Sequence, residues 1–498
     1  MGDFLTAYLH GNSSVIRVQG SPYGPDDELG KRKLSSVPEW LRKALASIAI
    51  DIPFPGTNHT DLIQSLELEN IKMDFSRSGN PLISGDAVAM LKKPEEMQFP
   101  MDVTQIHPTV FIYLRPDSEK PFARLAPEDP SPATTLDGDS ADNDLPCGTM
   151  KVISKVHRAP FKVEPGGEKE FEQFLHKVFY GTRAKVYIRG VSDASVDSAF
   201  GHLVIKDLEF NGTIDTKGME GMVDPPPAVS SMEIIKGYPD ALHVQTQLMI
   251  ESPADVNINL GALNILLLYK NEPIGNGSIA EFKLAPGRQN RLTCSVWLHG
   301  DDPHSRMNVV DFVGQYLGND GNTSLTISGD HPNATQAPLL RAFFKQLRFV
   351  VQPPPFHESP LLKNVQMNIL SSTTVMYLQN PFNGVQLEIV KLNASASYGI
   401  HEIGTVKANF ADKGEGWDGP IVLPPPSCEN SNCTEVVIET PKIPVVTKKL
   451  GMDAIKKALN GEITVSVDSN VTVNVDAFVL QDLKYKRDNI TAKVRKGF

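Results

Sequence analysis

The sequence predicts a mainly β fold with short helices: a β-rich α+β class built from tandem antiparallel immunoglobulin-like β-sandwiches, each with a short capping helix. Three observations predict it: short stretches of alternating apolar and polar residues, frequent Gly and Pro between them, and few helical periodicities. Of 498 residues, 40% are hydrophobic and 21% are charged, which is enough apolar material for several packed cores.

A six-residue signature, apolar-polar-polar-apolar-polar-apolar, occurs five times. Its copies begin at Leu68, Ile205, Phe344, Leu362 and Leu480. We predict that each copy forms a strand. Repetition of one structural unit favours scaffolding or binding over a single deep catalytic site.

A helical pattern precedes four of the five copies. We call the helix, a short alternating strand and the signature strand a tail unit. Apolar residues at helical spacing predict the four helices within 40–48, 171–178, 309–317 and 452–459. In three tails, the alternating strand lies at 186–190, 325–329 and 463–467.

A β-rich head unit lies between successive tails. It begins with a strand that ends at an X-Pro pair, Ser252-Pro253 or Asn380-Pro381, and continues with an alternating strand. Both heads then share the pattern Tyr-x4-Ile-Gly, which starts at Tyr269 and Tyr398. A weaker first copy spans 90–103.

The order of heads and tails predicts four domains. They are a partial domain (a C-terminal half) at 1–76, a first complete sandwich at 77–220 with an acidic loop at 115–147, a second repeat at 230–352 and a third repeat at 360–498. Because the first tail has no head before it, we expect that the chain has lost its beginning, together with any membrane anchor located there.

The acidic balance excludes one class of partner. The net charge is -11 and the isoelectric point about 5.6, so non-specific binding to nucleic acid is not expected. No apolar run reaches the roughly 18–20 residues needed to cross a bilayer, and the first residues do not resemble a signal peptide.

Ten N-x-[ST] glycan acceptors nevertheless indicate a lumenal or extracellular location, since about three to four would arise by chance in this composition. They are Asn12, Asn58, Asn211, Asn276, Asn322, Asn333, Asn393, Asn432, Asn470 and Asn489. Cys428 and Cys433 are spaced to close a small disulfide in an oxidising compartment. Cys147 and Cys294 are predicted to be lone thiols.

We find no motif that indicates catalysis, a cofactor or a metal, and we predict that the chain is not an enzyme. His299 and His304 flank an Asp pair; a metal or acid–base role is one interpretation, and a solvated turn is the simpler one. Apolar residues such as Leu263, Ile265 and Leu267 are most simply core, although a subset of such positions could line a lipid-sized cavity.

The last two heads resemble a known family. The stretch from Asn380-Pro381 through Tyr398 to Gly404 is similar to the Asn-Pro strand of late-embryogenesis-abundant type-2 domains. Serial copies with these tails, over about 36–495, resemble the lumenal region of a fungal vacuolar-membrane protein family with immunoglobulin-like and type-2 repeats. That family is implicated in autophagy termination, and its members have a cytosolic segment and one transmembrane helix. Some fungal relatives carry a pre-ribosomal-RNA processing label, which no basic or aromatic-rich stretch here supports.

The resemblance implies a non-enzymatic lumenal sensor or scaffold at the vacuolar membrane, with a protein or lipid partner in the lumen. Membrane attachment would then require a segment that this chain lacks. The alternative is a lipid-binding or lipid-transfer module that holds an acyl chain inside a sandwich. A lumenal hydrolase is a more remote alternative, because it would need a polar cleft with convergent side chains.

Overall fold

A computed structural model describes most of the chain. The described residues are 2–19, 38–54, 63–93, 100–139, 145–199, 201–222, 224–287, 289–317, 323–354, 361–368, 373–413, 417–426, 428–429, 432–433, 435–439 and 461–495. The fold is mainly β, with antiparallel sandwiches and few short helices, as predicted. The chain divides into two compact units: unit 1 comprises 1–74, 80–218 and 255–257, and unit 2 comprises 75–79, 219–254 and 258–498.

Unit 1 combines three helices with long strands. The helices are α1 (Gly2–Leu9), α2 (Glu39–Ser47) and α3 (Glu168–Tyr180). The strands are β1 (Ser14–Gln19), β2 (Ala49–Phe54), β3 (Ile63–Asp74), β4 (Leu82–Lys92), β5 (Met101–Tyr113), β6 (Ala123–Leu125), β7 (Ser131–Asp137), β8 (Thr149–Val163), β9 (Arg183–Ser198) and β10 (Gly201–Lys217).

Strand β8 links the two layers of unit 1. Its first part pairs with β4 and β7, whereas its last residues, from Phe161 to Val163, pair with β6. The strand order through the unit is β10-β9-β5-β6-β8-β4-β3, with β1 and β2 forming a separate pair. Within the part paired with β4, Arg158 has a φ of 49°, and the ladder register shifts beside it.

The repeated signature forms a β-bulge at its third residue in three of its copies. Asn70, Asp207 and Asp482 occupy its third position, and each has a φ of 53°. The ladder register shifts at each of these sites. Asn and Asp adopt the left-handed region more readily than other side chains, which explains their place in the signature.

Unit 2 contains the remaining elements. Its helices are α4 (Pro303–Leu317) and α5 (Arg341–Gln346), with short 3-10 turns at Glu220–Met222 and Pro338–Leu340. Its strands are β11 (Ala228–Gly237), β12 (Ala241–Glu251), β13 (Asn257–Tyr269), β14 (Glu272–Leu284), β15 (Gln289–His299), β16 (Leu325–Ser328), β17 (Arg348–Val351), β18 (Leu362–Asn368), β19 (Thr373–Leu378), β20 (Leu387–Tyr398), β21 (His401–Asn409), β22 (Ile421–Leu423), β23 (Cys428–Glu429), β24 (Asn432–Cys433), β25 (Val436–Glu439), β26 (Glu462–Val475) and β27 (Phe478–Arg495).

The predicted second and third repeats pack closely within unit 2. The Arg306 guanidinium lies 4.8 Å from the ring centre of Phe478, and the Arg306 side chain also donates to the carbonyl of Gly300 at 2.9 Å. A Cβ atom placed on Gly237 would lie 1.8 Å from the carbonyl oxygen of Val475, so glycine alone allows this approach. The division into four repeats stays a prediction. The two compact units are defined by contacts within the fold, whereas the repeats are defined by recurring sequence patterns.

Three predicted elements differ in the structure. The signature that begins at Phe344 starts inside α5, and only its end lies in β17. Its third residue is Gln346, which lacks the left-handed preference of Asn or Asp, and the preceding Leu, Arg and Ala residues favour helix. The prediction of an acidic loop at 115–147 is wrong in part, because this segment contains β6 and β7. Finally, β18 and β27 pair in parallel rather than antiparallel.

The other tail elements agree with the sequence. The predicted helices at 40–48, 171–178 and 309–317 are α2, α3 and α4. The remaining helix, at 452–459, lies outside the described residues. The alternating strands belong to β9, β16 and β26.

Candidate functional site

An apolar cavity of about 300 Å³ lies inside unit 1. Both layers and α3 contribute to its wall. Strand β9 shows why the wall is apolar: Ala184, Val186 and Ile188, and later Ala194 and Val196, face the cavity at alternate positions. Successive side chains of a strand point to opposite faces, so this alternation places apolar side chains of β9 along the cavity wall.

Aromatic side chains close one end of this cavity. The ring of Phe174 on α3 lies 5.9 Å from that of Phe122, and Phe171 on the same helix lies 5.7 Å from Phe161. Apolar residues at i and i+3 share one face of a helix, which lets α3 present both rings to the sheets. Helix α3 therefore covers this end of the sandwich with two packed aromatic side chains.

Helix α1 covers another part of the cavity wall. Its Tyr8 is only 4% exposed and packs in one cluster with Val103, Met150, Val196 and Ile205, all of which also line the cavity. Phe4, one turn earlier, packs against the same cluster. The apolar face of this short helix is thus part of the core of unit 1.

The main buried charge at the cavity is compensated. The Lys93 side chain is only 7% exposed, and its Nζ binds the Asp137 carboxylate and, at 2.8 Å, the Asp139 carboxylate. Burial opposes the charged form of Lys93, but these two partners outweigh it and raise its pKa. The hydrogen bond from Lys93 lowers the pKa of Asp139. The carboxylates of Asp137 and Asp139 therefore fix the position of the Lys93 ammonium group.

The cavity does not lie where the sequence suggested. Leu263, Ile265 and Leu267 lie on β13 and are buried core residues, in line with the simpler interpretation. Ile265 and Leu267 line only a void of about 40 Å³ in unit 2. The hollow unit 1 has small inward side chains, among them Ala87, Ala89, Ala184 and Ala194, and this is the signal that could have located the cavity.

The glycan acceptors lie mostly on the surface. Asn276 on β14 is half-buried. Asn58, Asn322 and the side chain of Asn432 lie outside the described residues. The other six acceptors are exposed: Asn12, Asn211, Asn333, Asn393, Asn470 and Asn489. Whether any of them carries a glycan stays a prediction.

The cysteines fall into two groups. Cys428 and Cys433 are direct backbone partners in the β23–β24 pair, where Cα atoms lie about 4.5–5.5 Å apart, within the usual disulfide range. Their side chains are not described, so the disulfide stays a prediction. Cys147 is an exposed thiol, and Cys294 is buried. Burial raises the pKa of the Cys294 thiol to about 11.

The His and Asp residues near 300 begin a helix. The Asp302 carboxylate accepts hydrogen bonds from the backbone amides of His304 at 2.9 Å and Ser305 at 3.0 Å, as a helix cap does. Hydrogen bonds from Ser305 lower the pKa of Asp302. In the part of the chain that the structure describes, no group of three or more His, Cys, Asp or Glu side chains could hold a metal. None of the described helices is both long and apolar enough to span a membrane.

Comparison with known proteins adds little about function. A family model described as "Protein of unknown function (DUF3712)" matches residues 151–267, which run from β8 into β13 and include the cavity strands β9 and β10. The match covers less than half of the chain, so it does not establish membership. A search of curated proteins finds no match.

Three solved structures show low similarity. One is a biofilm associated protein BSP domain, at 10% identity and a TM-score of 0.15, over 89% of this chain and 68% of that one. Another is the partial N-terminal region of an enterococcal surface protein, at 8% identity and a TM-score of 0.12, over 55% of this chain and 91% of that one. A Salmonella alpha-2-macroglobulin mutant has 9% identity and a TM-score of 0.12, over 86% and 26%. At these TM-scores the similarities carry no argument.

Proposed function

We propose that unit 1 binds a linear hydrocarbon chain, such as the acyl chain of a lipid, in its cavity. The observation that carries the proposal is the apolar cavity of about 300 Å³, which reaches the lower end of the range for small-molecule sites. Burial of each methylene group contributes about 0.8 kcal/mol, so a chain of a dozen carbons would bind with useful affinity.

The shape of the cavity favours a linear ligand. Its wall on β9 runs from Ala184 to Val196, which corresponds to roughly 40 Å of strand at about 3.3 Å per residue. A wall of this length can lie along an extended acyl chain, which is the class of ligand that we propose.

Direct binding measurements test this function. The protein is titrated with a monoacylglycerol that carries a fluorescent group, and unlabelled monoacylglycerols of increasing chain length compete with it. Ala89→Phe adds bulk at a cavity-lining position and should weaken binding at least tenfold. Ala199→Phe, the matched change at an exposed position, should leave binding unchanged. Absence of saturable binding by the parent protein, or equal binding by Ala89→Phe, would refute the proposal.

The location of this activity is a second proposal. We infer that the chain is the lumenal, non-enzymatic region of a vacuolar-membrane protein, as the sequence resemblance implies; the six exposed acceptors support this placement. Treating the protein from its native source with an endoglycosidase should increase its gel mobility. An unchanged band would contradict the lumenal placement. A role in autophagy termination rests on the resemblance alone and stays a prediction.

A further inference from the structure

The two end strands of unit 1 approach each other without pairing. In the described chain, β10 pairs only with β9, and β4 is the partner of β3 within this unit. A Cβ atom placed on Gly212 of β10 would nevertheless lie 3.4 Å from the Cβ atom of Leu66 on β3. The two strands are therefore in contact along a line that has no ladder of backbone hydrogen bonds, and we call this line the seam.

The seam is lined by apolar side chains that are only partly covered. Those facing the cavity from β3 and β10 and left half-buried are Ile63, Leu66, Leu68, Met73, Leu208, Phe210 and Ile214. A row of partly exposed apolar residues that continues into an apolar cavity offers a hydrocarbon chain a path. The exposed Glu67 and Glu209 of the same strands also line the cavity.

Both ends of the seam are covered. At the start of β10, Thr6 Oγ1 of α1 accepts a 3.3 Å hydrogen bond from the Lys206 amide, and His10 Nε2 lies 3.2 Å from the Lys206 carbonyl oxygen. At the other end, the Lys217 amide donates to the Asp255 carboxylate at 3.0 Å, and the adjacent Val256 lines the cavity. With α3 covering the sandwich end, the middle of the seam is the least obstructed route.

We propose that the acyl chain reaches the cavity sideways, through the seam, which parts between Leu66 and Gly212. The proposal rests on the lipid-binding function proposed above and adds its route. Parting any paired strands would break several backbone hydrogen bonds, each contributing about 1 kcal/mol, whereas parting the seam breaks none between β3 and β10.

A reversible crosslink tests the route. The variant combines Leu66→Cys and Gly212→Cys with Cys147→Ser, which removes the exposed thiol. The separation of 3.4 Å between the Cβ positions is close to that of a disulfide, so mild oxidation should join the strands. Stopped-flow mixing with the fluorescent monoacylglycerol should show at least tenfold slower uptake after oxidation, with the rate restored by a reductant that leaves the native fold intact.

The outcomes separate the two proposals. If the reduced variant and the parent protein both fail to bind, the lipid-binding function fails. If the reduced variant binds and the oxidised variant takes up the probe equally fast, the cavity stands and the seam route is overturned. Gly212→Leu gives a second measurement that needs no disulfide: uptake should slow several-fold, and an unchanged rate would also overturn the route. Cys147→Ser alone, treated with the same oxidant, is the control.

Discussion

The side-chain amide of Asn380 donates a 3.0 Å hydrogen bond to the carbonyl oxygen of Leu423. The same amide nitrogen donates to the Val385 carbonyl at 2.8 Å, and Asn380 Oδ1 accepts from the Phe382 amide at 2.9 Å. Asn380 is only 2% exposed. The Asn of the Asn-Pro motif thus joins its own loop to the end of β22 from inside the core of unit 2.

Replacing Asn380 by Ala should destabilise the protein by about 2–4 kcal/mol, because it leaves several buried backbone groups without partners. Urea unfolding followed by tryptophan fluorescence or circular dichroism measures this change. Asn393→Ala, at an exposed position, should change the free energy of unfolding by less than about 0.5 kcal/mol. Equal effects of the two substitutions would contradict the role of Asn380.

Gly237→Ala should also destabilise unit 2, by about 1–3 kcal/mol or more. The added methyl group would lie 1.8 Å from the Val475 carbonyl oxygen, so backbone must move to admit it. Gly79→Ala is the matched control, since a Cβ atom there meets nothing within 4 Å. Denaturant midpoints of the two variants should differ clearly; similar midpoints would mean that the close approach at Gly237 is easily relaxed.

The bulge of the signature predicts that, at Asp482, glycine is better tolerated than alanine. Its φ of 53° suits glycine and is strained for alanine, so Asp482→Ala should lower the free energy of unfolding by about 1 kcal/mol, and Asp482→Gly should not. Gln481→Ala, one residue earlier and also exposed, should have little effect. Thermal melts of the three variants test this order, which would fail if Asp482→Gly were the least stable.

The buried thiol of Cys294 should react far more slowly than the exposed thiol of Cys147. Burial raises the pKa of Cys294 to about 11, and the reactive thiolate is therefore scarce. A chromogenic disulfide reagent at pH 8 should modify Cys147 at once and Cys294 only in denaturant. Cys147→Ser should remove the fast reaction; a fast reaction that can be mapped to Cys294 would disprove its burial.

The same group makes stability depend on alkaline pH. The unfolded thiol ionises near pH 9 and the folded thiol near 11, so the unfolded state loses its proton first as pH rises. This contribution to stability is complete below about pH 9 and declines between about pH 9 and 11. The denaturant midpoint of the parent protein should therefore fall more over this range than that of Cys294→Ala.

Asn393 and Asn470 lie directly opposite each other on β20 and β26, and both are exposed. Glycans are bulky, and side chains at opposite positions are only about 5 Å apart at Cβ, so two glycans would crowd one another. In protein from a glycosylating host, glycopeptide mass spectrometry should find mostly one of the two occupied. Asn393→Gln should raise the occupancy of Asn470. Full occupancy of both would contradict the crowding, and none at either would weaken the lumenal placement.

The sequence predicted the fold well where alternation and helical spacing were regular, as at α3, β9 and β10. It did not reveal that the third signature residue bends the strand, because a polar residue there also fits plain alternation. The prediction of a strand at Phe344 was wrong because the helical preference of the preceding residues prevailed over the pattern of the signature.

The cavity could not be derived from the pattern of the sequence. Inward positions of a filled sandwich and of a hollow one are both apolar, and only their summed volume separates the two cases. That sum depends on how far apart the layers lie, which strands such as β8 determine by crossing from one to the other. Unit 2 has the same alternation on β13, and its void is only about 40 Å³.

The attachment of α1 to Lys206 has a further consequence for how the protein behaves in a crowded compartment. An unpaired outer strand can template the addition of a strand from another molecule, which is a common start of aggregation. On β10, the helix occupies backbone groups at Lys206, and the bulge at Asp207 follows immediately and interrupts the regular edge. At Lys206 and Asp207, the edge strand of unit 1 is thus protected against pairing with a strand of another molecule.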